Sequence, residues 1–151
     1  MMMPRPITLR RQAPSCAHVR PQARTWRWTG QWLRAQWFAQ PGESDWLQTV
    51  NREVRATRSA VGICDVSTLG KIDVQGSDAG TFLDRLYTNT FSTLPVGRAR
   101  YGLMLREDGL VFDDGTTSRL AEDHYFVTTT TANAGPVMQH MEFHLQTVWP
   151  E

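Results

Sequence analysis

A chain of 151 residues is long enough to bury one domain's core, and its 16 basic and 15 acidic residues leave a formal net charge of +1. That balance excludes a global field able to recruit nucleic acid or an anionic membrane surface, and no run approaches the ~18 apolar residues of a membrane span. Two cysteines, Cys16 and Cys64, suit a reducing compartment better than a disulfide framework, so a soluble, cytoplasmic chain is expected.

Fifteen of the sixteen basic residues are arginine, and the stretch from Arg5 to Arg34 holds seven of them without an acid. Pro4, Pro6, Pro14 and Pro21 would break the amphipathic helix of an organelle transit peptide. Residues 1–24 therefore read as a poorly ordered arm or the tail of an upstream domain. Trp26, Trp28, Trp32, Trp37, Phe38 and Trp46 follow, a density that points to core or interface packing before a ligand-stacking platform.

Ser44 is placed to cap a helix beginning at Asp45, with Trp46, Val50, Val54 and Val61 on one stripe and Gly62 as its stop. Ile63 to Gln75 alternates as a strand bent at Gly70, which would bury Cys64. Ser77 then caps a second helix whose buried side is Phe82, Leu83 and Leu86. From Arg98 the period changes to two: strands over 98–105, 110–120 and 125–131, with a hairpin turn at 106–109. Asn133 or Thr131 caps a closing helix, with Pro136 near its start and Val137, Met141, Leu145 and Val148 on its apolar face. The sum is an α+β unit: an antiparallel sheet with helices on one face, the other face left uncovered.

Asp113 and Asp114 are adjacent in a strand and point to opposite faces. Strict alternation sets Asp114 beside Leu110, Phe112 and Thr116, and Asp113 beside Val111, Gly115 and Thr117. A carboxylate among apolar neighbours would be pushed toward holding a proton near neutrality; equally, both acids fit as ordinary strand-end residues. The run Thr128 to Thr131 either lines a polar pocket or is a favourable strand sequence. His140 and His144 share a helix face, but no third ligand is evident and no metal site is assigned. The glycine fingerprint of dinucleotide sites, the phosphate loop and the nucleophile elbow are all missing.

Read together, the runs Cys64–Gly76, Phe82–Asn89, Arg100–Leu105 and Glu107–Gly115 and the four threonines resemble a known family. They are similar to the folate-binding, aminomethyltransferase-type half of the alpha subunit of heterotetrameric sarcosine oxidase, a relative of the glycine-cleavage aminomethyltransferase (T-protein). The Asp-Val-Ser element and the aspartate pair are shared across the broader family. Leu69-Gly70-Lys71-Ile72-Asp73-Val74-Gln75-Gly76 and the threonine run point to the sarcosine oxidase branch.

The resemblance implies that residues 25–151 are an incomplete folate-binding domain. Its cofactor would be tetrahydrofolate, which captures the one-carbon unit from oxidised sarcosine. By the same resemblance Asp114 is the functional carboxylate, stabilising iminium charge and assisting proton transfer, while Leu69, Tyr101, Thr128 and Thr130 contact folate. Flavin and NAD are expected only on missing domains or partner subunits, without which the fragment is not catalytically complete. Two alternatives stand beside it: a glycine-cleavage-type aminomethyltransferase, which Thr68-Leu69-Gly70-Lys71 disfavours, and an inactive truncated remnant acting as an interaction module.

Overall fold

The computed structural model describes Arg11–Gln12 and residues 25–149. Of the expected arm only Arg11–Gln12 are described, as a strand; residues 1–10 and 13–24, Cys16 among them, and the chain end beyond Trp149 lie outside the described residues. Backbone proximity divides the chain into two compact units, residues 1–68 and 69–151.

The first unit carries a sheet in which β1 (Arg11–Gln12) runs parallel to β3 (Trp32–Trp37), and β3 pairs antiparallel with β2 (Thr25–Thr29). The β2–β3 hairpin was not expected from the sequence. Its signal lies in the aromatic stretch, which alternates on both sides of Gly30, where φ is 57°. The tryptophans there are not a sealed core: Trp28 and Trp46 are exposed, and Trp26, Trp32 and Trp37 half-buried.

Helix α1 (Trp46–Ser59) is capped one residue later than expected. Asp45 is the N-cap, its Oδ1 accepting from the Gln48 amide at 2.9 Å, while Ser44 Oγ accepts from the Gln48 side chain. The helix ends at Ala60 rather than Gly62, and the expected apolar stripe is not buried: Trp46, Val54 and Val61 face solvent. Its buried position is Thr49, whose hydroxyl donates to Glu43 at 2.7 Å.

The strand expected from Ile63 begins only at Gly70. Ile63 is 99% exposed and Val66 is exposed too, so the apolar side chains here are not buried as those of a core strand would be. Asp65 instead folds the chain locally, its carboxylate accepting from the Ser67 amide at 2.9 Å. Cys64 is exposed, which corrects its assignment to a buried strand.

The second unit is a four-stranded antiparallel sheet in the order β4-β7-β6-β5, with β4 Gly70–Gln75, β5 Ala99–Leu105, β6 Val111–Ala121 and β7 His124–Thr129. Helices α2 (Ala79–Leu86) and α3 (Ala134–Phe143) pack on one face. That face carries Ile72, Met104, Tyr125 and Val127, which join Phe82, Leu83, Leu86, Val137 and Met141 in the core. The α+β class with helices on one side of an antiparallel sheet is as expected.

Details at the helix ends differ. Helix α2 is preceded by Asp78, not Ser77, and Asp78 caps through no side-chain bond. Asn133 precedes α3 without a side-chain cap, its Nδ2 donating to the Phe112 carbonyl and to Asp113. Leu145 and Val148 are exposed rather than buried; the chain continues from α3 as a π-helical turn (His144–Val148), whose larger number of residues per turn takes them off the Val137–Met141 stripe.

The loop from Tyr87 to Arg98 drops Phe91 and Leu94 into the core. Arg119 pins it, donating to the Ser92 and Leu94 carbonyls at 3.0 and 2.9 Å while lying over the Tyr125 ring. Such a loop core leaves no periodic trace in sequence.

Candidate functional site

The sheet's other face carries no helix of this unit among the described residues, and the site lies there. Pairing registers set Tyr101 opposite Thr116 and Thr128 opposite Lys71. Thr116 and Thr128 join the two pairs into one row, because the Thr116 amide donates to Thr128 Oγ1 at 2.9 Å and Thr128 Oγ1 donates to the Thr116 carbonyl at 3.1 Å. Asp114 stands one row along, opposite Leu103. Leu69, immediately before β4, and Thr130, immediately after β7, complete that second row's edge of the cleft.

Those placements converge. A cleft of about 200 Å³ is lined by Leu69, Tyr101, Asp114, Gly115, Thr116, Thr128, Thr129 and Thr130. The five residues singled out by resemblance, Leu69, Tyr101, Asp114, Thr128 and Thr130, thus share one concavity although up to 61 positions separate them in the chain. Tyr101 is 54% exposed, while Leu69 and Asp114 are half-buried, so a phenol face, an aliphatic side chain and a carboxylate all reach the opening.

Asp114 accepts a hydrogen bond from the Tyr101 hydroxyl at 2.8 Å. This bond is the largest cause raising the Tyr101 pKa; desolvation and the charges of Asp114 and Asp113 act the same way. Tyr101 is therefore a donor throughout the neutral range. One Asp114 oxygen is engaged by the phenol, leaving acceptor capacity facing the cleft.

Asp113 differs from its neighbour more than alternation predicts. Strand β6 bulges where its register against β5 shifts between the Met104–Asp113 and Leu105–Val111 pairs, so Phe112 is the unpaired extra residue. Phe112 consequently packs on the hydrophobic core instead of flanking Asp114, and Leu110 lies in the turn, 62% exposed. The expected apolar setting of Asp114 is corrected: the buried carboxylate is Asp113, 3% exposed. It accepts from Thr130 Oγ1 at 2.6 Å, from the Thr130 amide at 3.1 Å and from Asn133 Nδ2 at 3.2 Å.

The threonine run divides by alternation. Thr128 and Thr130 border the cleft, whereas Thr129 and Thr131 are buried. Thr130 directs its hydroxyl proton to Asp113 and keeps acceptor lone pairs, whereas Thr128 Oγ1 is engaged with the Thr116 amide, hydroxyl and carbonyl.

His140 and His144 are ring neighbours, with centroids 4.5 Å apart. Among the described residues no group of three His, Cys, Asp or Glu side chains is arranged to hold a metal. Burial, then the neighbouring His144, lowers the His140 pKa against the opposing pull of Glu107. The pair sits on the helical side of the sheet, against Phe112 and Trp149, away from the cleft. Among the described residues no helix is long and apolar enough to cross a membrane.

Known proteins resemble this chain in sequence and in fold. The family described as GCVT N-terminal domain matches residues 17–151. The chain is 58% identical over 123 residues to "Sarcosine oxidase subunit alpha" of Rhizobium meliloti (strain 1021), covering 82% of this chain and 12% of that protein. The namesake subunit of Corynebacterium sp. (strain P-1) is 53% identical over 122 residues, covering 81% and 12%. An aminomethyltransferase of Chloroherpeton thalassium is 42% identical over 81 residues, covering 54% of this chain and 22% of that protein. The chain thus spans about an eighth of the length of the first relatives. Among solved structures, the glycine cleavage system aminomethyltransferase T from Bartonella henselae superposes with a TM-score of 0.72 at 20% identity, over 90% of this chain and 36% of that one. At that identity the likeness is one of fold.

Proposed function

Because the chain belongs to the GCVT N-terminal domain family, we propose that its open-face cleft binds tetrahydrofolate. In this reading it is the folate-binding portion of a sarcosine-oxidase-like alpha subunit, with residues 25–151 forming that portion behind an arm of residues 1–24. The observation that carries the reading is the meeting of Leu69, Tyr101, Asp114, Thr128 and Thr130 around one cleft.

The residues fit the ligand in kind and in size. A flat, partly reduced bicycle needs apolar walls and an acceptor for its ring N–H groups, which Leu69, Tyr101 and Asp114 supply. About 200 Å³ is less than the roughly 300–1,000 Å³ of sites that enclose whole ligands. It suits the pterin head, with the aminobenzoyl and glutamate parts lying beyond it.

Bound tetrahydrofolate supplies the nucleophilic nitrogens that take up a one-carbon unit. Asp114 holds the ring nitrogens by charge-assisted hydrogen bonds, and its negative charge stabilises positive charge developing beside it. Its free lone pairs accept a proton from a ring nitrogen. Tyr101, a donor at neutral pH, fixes which Asp114 oxygen turns to the cleft. Flavin and NAD chemistry, and the remaining subunits, belong to the parts of the larger relatives that this chain does not span.

Higher identity over more of the chain favours the sarcosine oxidase reading over an aminomethyltransferase of the glycine-cleavage type. A remnant acting as an interaction module is the reading that remains if folate is not bound. Calorimetric titration with tetrahydrofolate, on the parent protein and on Asp114→Asn, separates these. Saturable binding weakened at least about tenfold by Asp114→Asn, some 1.4 kcal/mol, is expected from losing one charged hydrogen-bond acceptor. A folded parent that takes up no tetrahydrofolate overturns the proposal.

A further inference from the structure

We propose that Asp113 is a positioning residue for the cleft: its buried carboxylate ties the exit of β7 and the start of α3 to the β6 bulge and thereby aims Asp114. The functional sense of this inference rests on the folate reading of the cleft, but its geometry does not. Among the described residues Asp113 forms no ion pair, and its partners are the Thr130 hydroxyl, the Thr130 amide and the Asn133 amide. Burying a carboxylate costs several kcal/mol before hydrogen bonds offset it. A well-packed apolar side chain at such a position is often neutral or stabilising by comparison, so bulk stability is a poor account of the charge.

Its partners suggest a better one. Thr130 is a wall of the cleft, and Asn133 is the residue just before α3. Its side-chain Nδ2 donates to Asp113 at 3.2 Å and to the carbonyl of the bulged Phe112 at 3.0 Å. One carboxylate therefore ties three places together at the bulge: β6, the residue after β7 and the residue before α3. A bulge re-aims the side chains beside it, and Asp114 is the second residue after Phe112. If the clamp loosens, Asp114 and Thr130 move together relative to Tyr101, and the 2.8 Å bond between Tyr101 and Asp114 reports it.

The test uses the complete native polypeptide with 3,5-difluorotyrosine at position 101, whose phenol titrates near neutrality and is followed by fluorine NMR. Compared are the parent, Asp113→Asn, Asp114→Asn, the double variant, and Thr130→Val, which removes one donor and keeps both carboxylates. Asp113→Asn and Thr130→Val are each expected to lower the phenol's pKa by at least about threefold in proton affinity. Asp113→Asn should add nothing in the Asp114→Asn background, because its influence runs through Asp114. An unchanged phenol in folded Thr130→Val overturns the proposal. So does an equal effect of Asp113→Asn in both backgrounds, which would mark it as direct charge. Should Asp113→Asn fail to fold, Thr130→Val alone decides.

Tetrahydrofolate affinity, measured on the same natural-tyrosine variants, is expected to fall in the order of the phenol shifts. Absence of tetrahydrofolate binding by the parent would sink the function reading while the phenol titration still decides on Asp113.

Discussion

Gly115→Ala is the sharpest perturbation the sheet offers. A Cβ on Gly115 would lie 1.9 Å from the Thr128 carbonyl oxygen and 2.8 Å from its carbon. Carbon and oxygen meet at ~3.3 Å, so the two strands would have to part by more than about 1 Å at this point. Both atoms are backbone, so no rotamer relieves the clash. Parting strands threatens the Thr116 amide bond to Thr128, the return bond from Thr128, and the Thr130 amide bond to Asp113.

Overpacking costs about 1–3 kcal/mol, and each net hydrogen bond lost adds about 1 kcal/mol. Together these predict a loss of about 3–5 kcal/mol, or a fall in melting temperature above about 10 °C for a domain of this size. Differential scanning calorimetry of the parent and the variant measures it, with urea unfolding as a check on the m-value. A variant melting within about 2 °C of the parent would refute the close approach of β6 and β7 beneath the cleft.

Other expectations follow from single contacts. Gly135 lies in the first turn of α3 directly before Pro136, whose ring crowds a Cβ on a preceding helical residue, so Gly135→Ala should leave the urea midpoint within about 0.5 kcal/mol equivalent of the parent, the helix-propensity gain being offset. Asp84 is desolvated, which raises its pKa, yet the Ser92 hydroxyl and amide, the Phe91 amide and Arg100 outweigh this and lower it. Its stabilisation is therefore full above its unfolded pKa and lost as pH falls through the folded value; Asp84→Ala should cost about 1–2 kcal/mol at pH 7 and little under acid.

Glu43 is held at about 2 by the Arg52 guanidinium, then by the Gln40 amide and the Thr49 hydroxyl. Carbon-detected NMR should find its midpoint near that value, and the stability it contributes should fade between pH 4 and pH 2, about its unfolded and folded pKa values. An ordinary glutamate midpoint would discard the Arg52 pairing. Tyr101→Phe removes an exposed hydroxyl, so thermal unfolding should shift by no more than about 1 kcal/mol equivalent while tetrahydrofolate affinity changes with the freed Asp114 oxygen.

Local chemistry was legible where one residue's own neighbours decide the outcome. Gly109, with φ of 81°, closes the hairpin after Arg106 just where period-two patterning stops on either side. Phe82, Leu83 and Leu86 face the core at helical spacing, and the strands from Ala99 to Thr129 stand within a residue or two of their patterned bounds. The family resemblance, carried by short runs from Cys64 to Thr131, named five residues that the fold then gathered into one cleft. Periodicity alone would not have united them, because Leu69 and Thr130 lie just outside strands and meet Tyr101 only across four paired chains.

Tertiary structure decided the rest. Alternation set Asp114 among apolar neighbours, but the bulge at Phe112 breaks the count just before Asp113 and takes Phe112 out of Asp114's row and onto the core. A bulge is a property of two strands in register, so it has no expression in one strand's pattern. Exposure of Ile63 and Cys64 is of the same kind: the run reads as a strand, yet a strand forms only where a neighbour offers its edge, and β7 pairs with β4 from Gly70 onward. Residue types thus determined which chemistry this chain carries. Pairing between distant strands determined which carboxylate meets solvent and which one is buried.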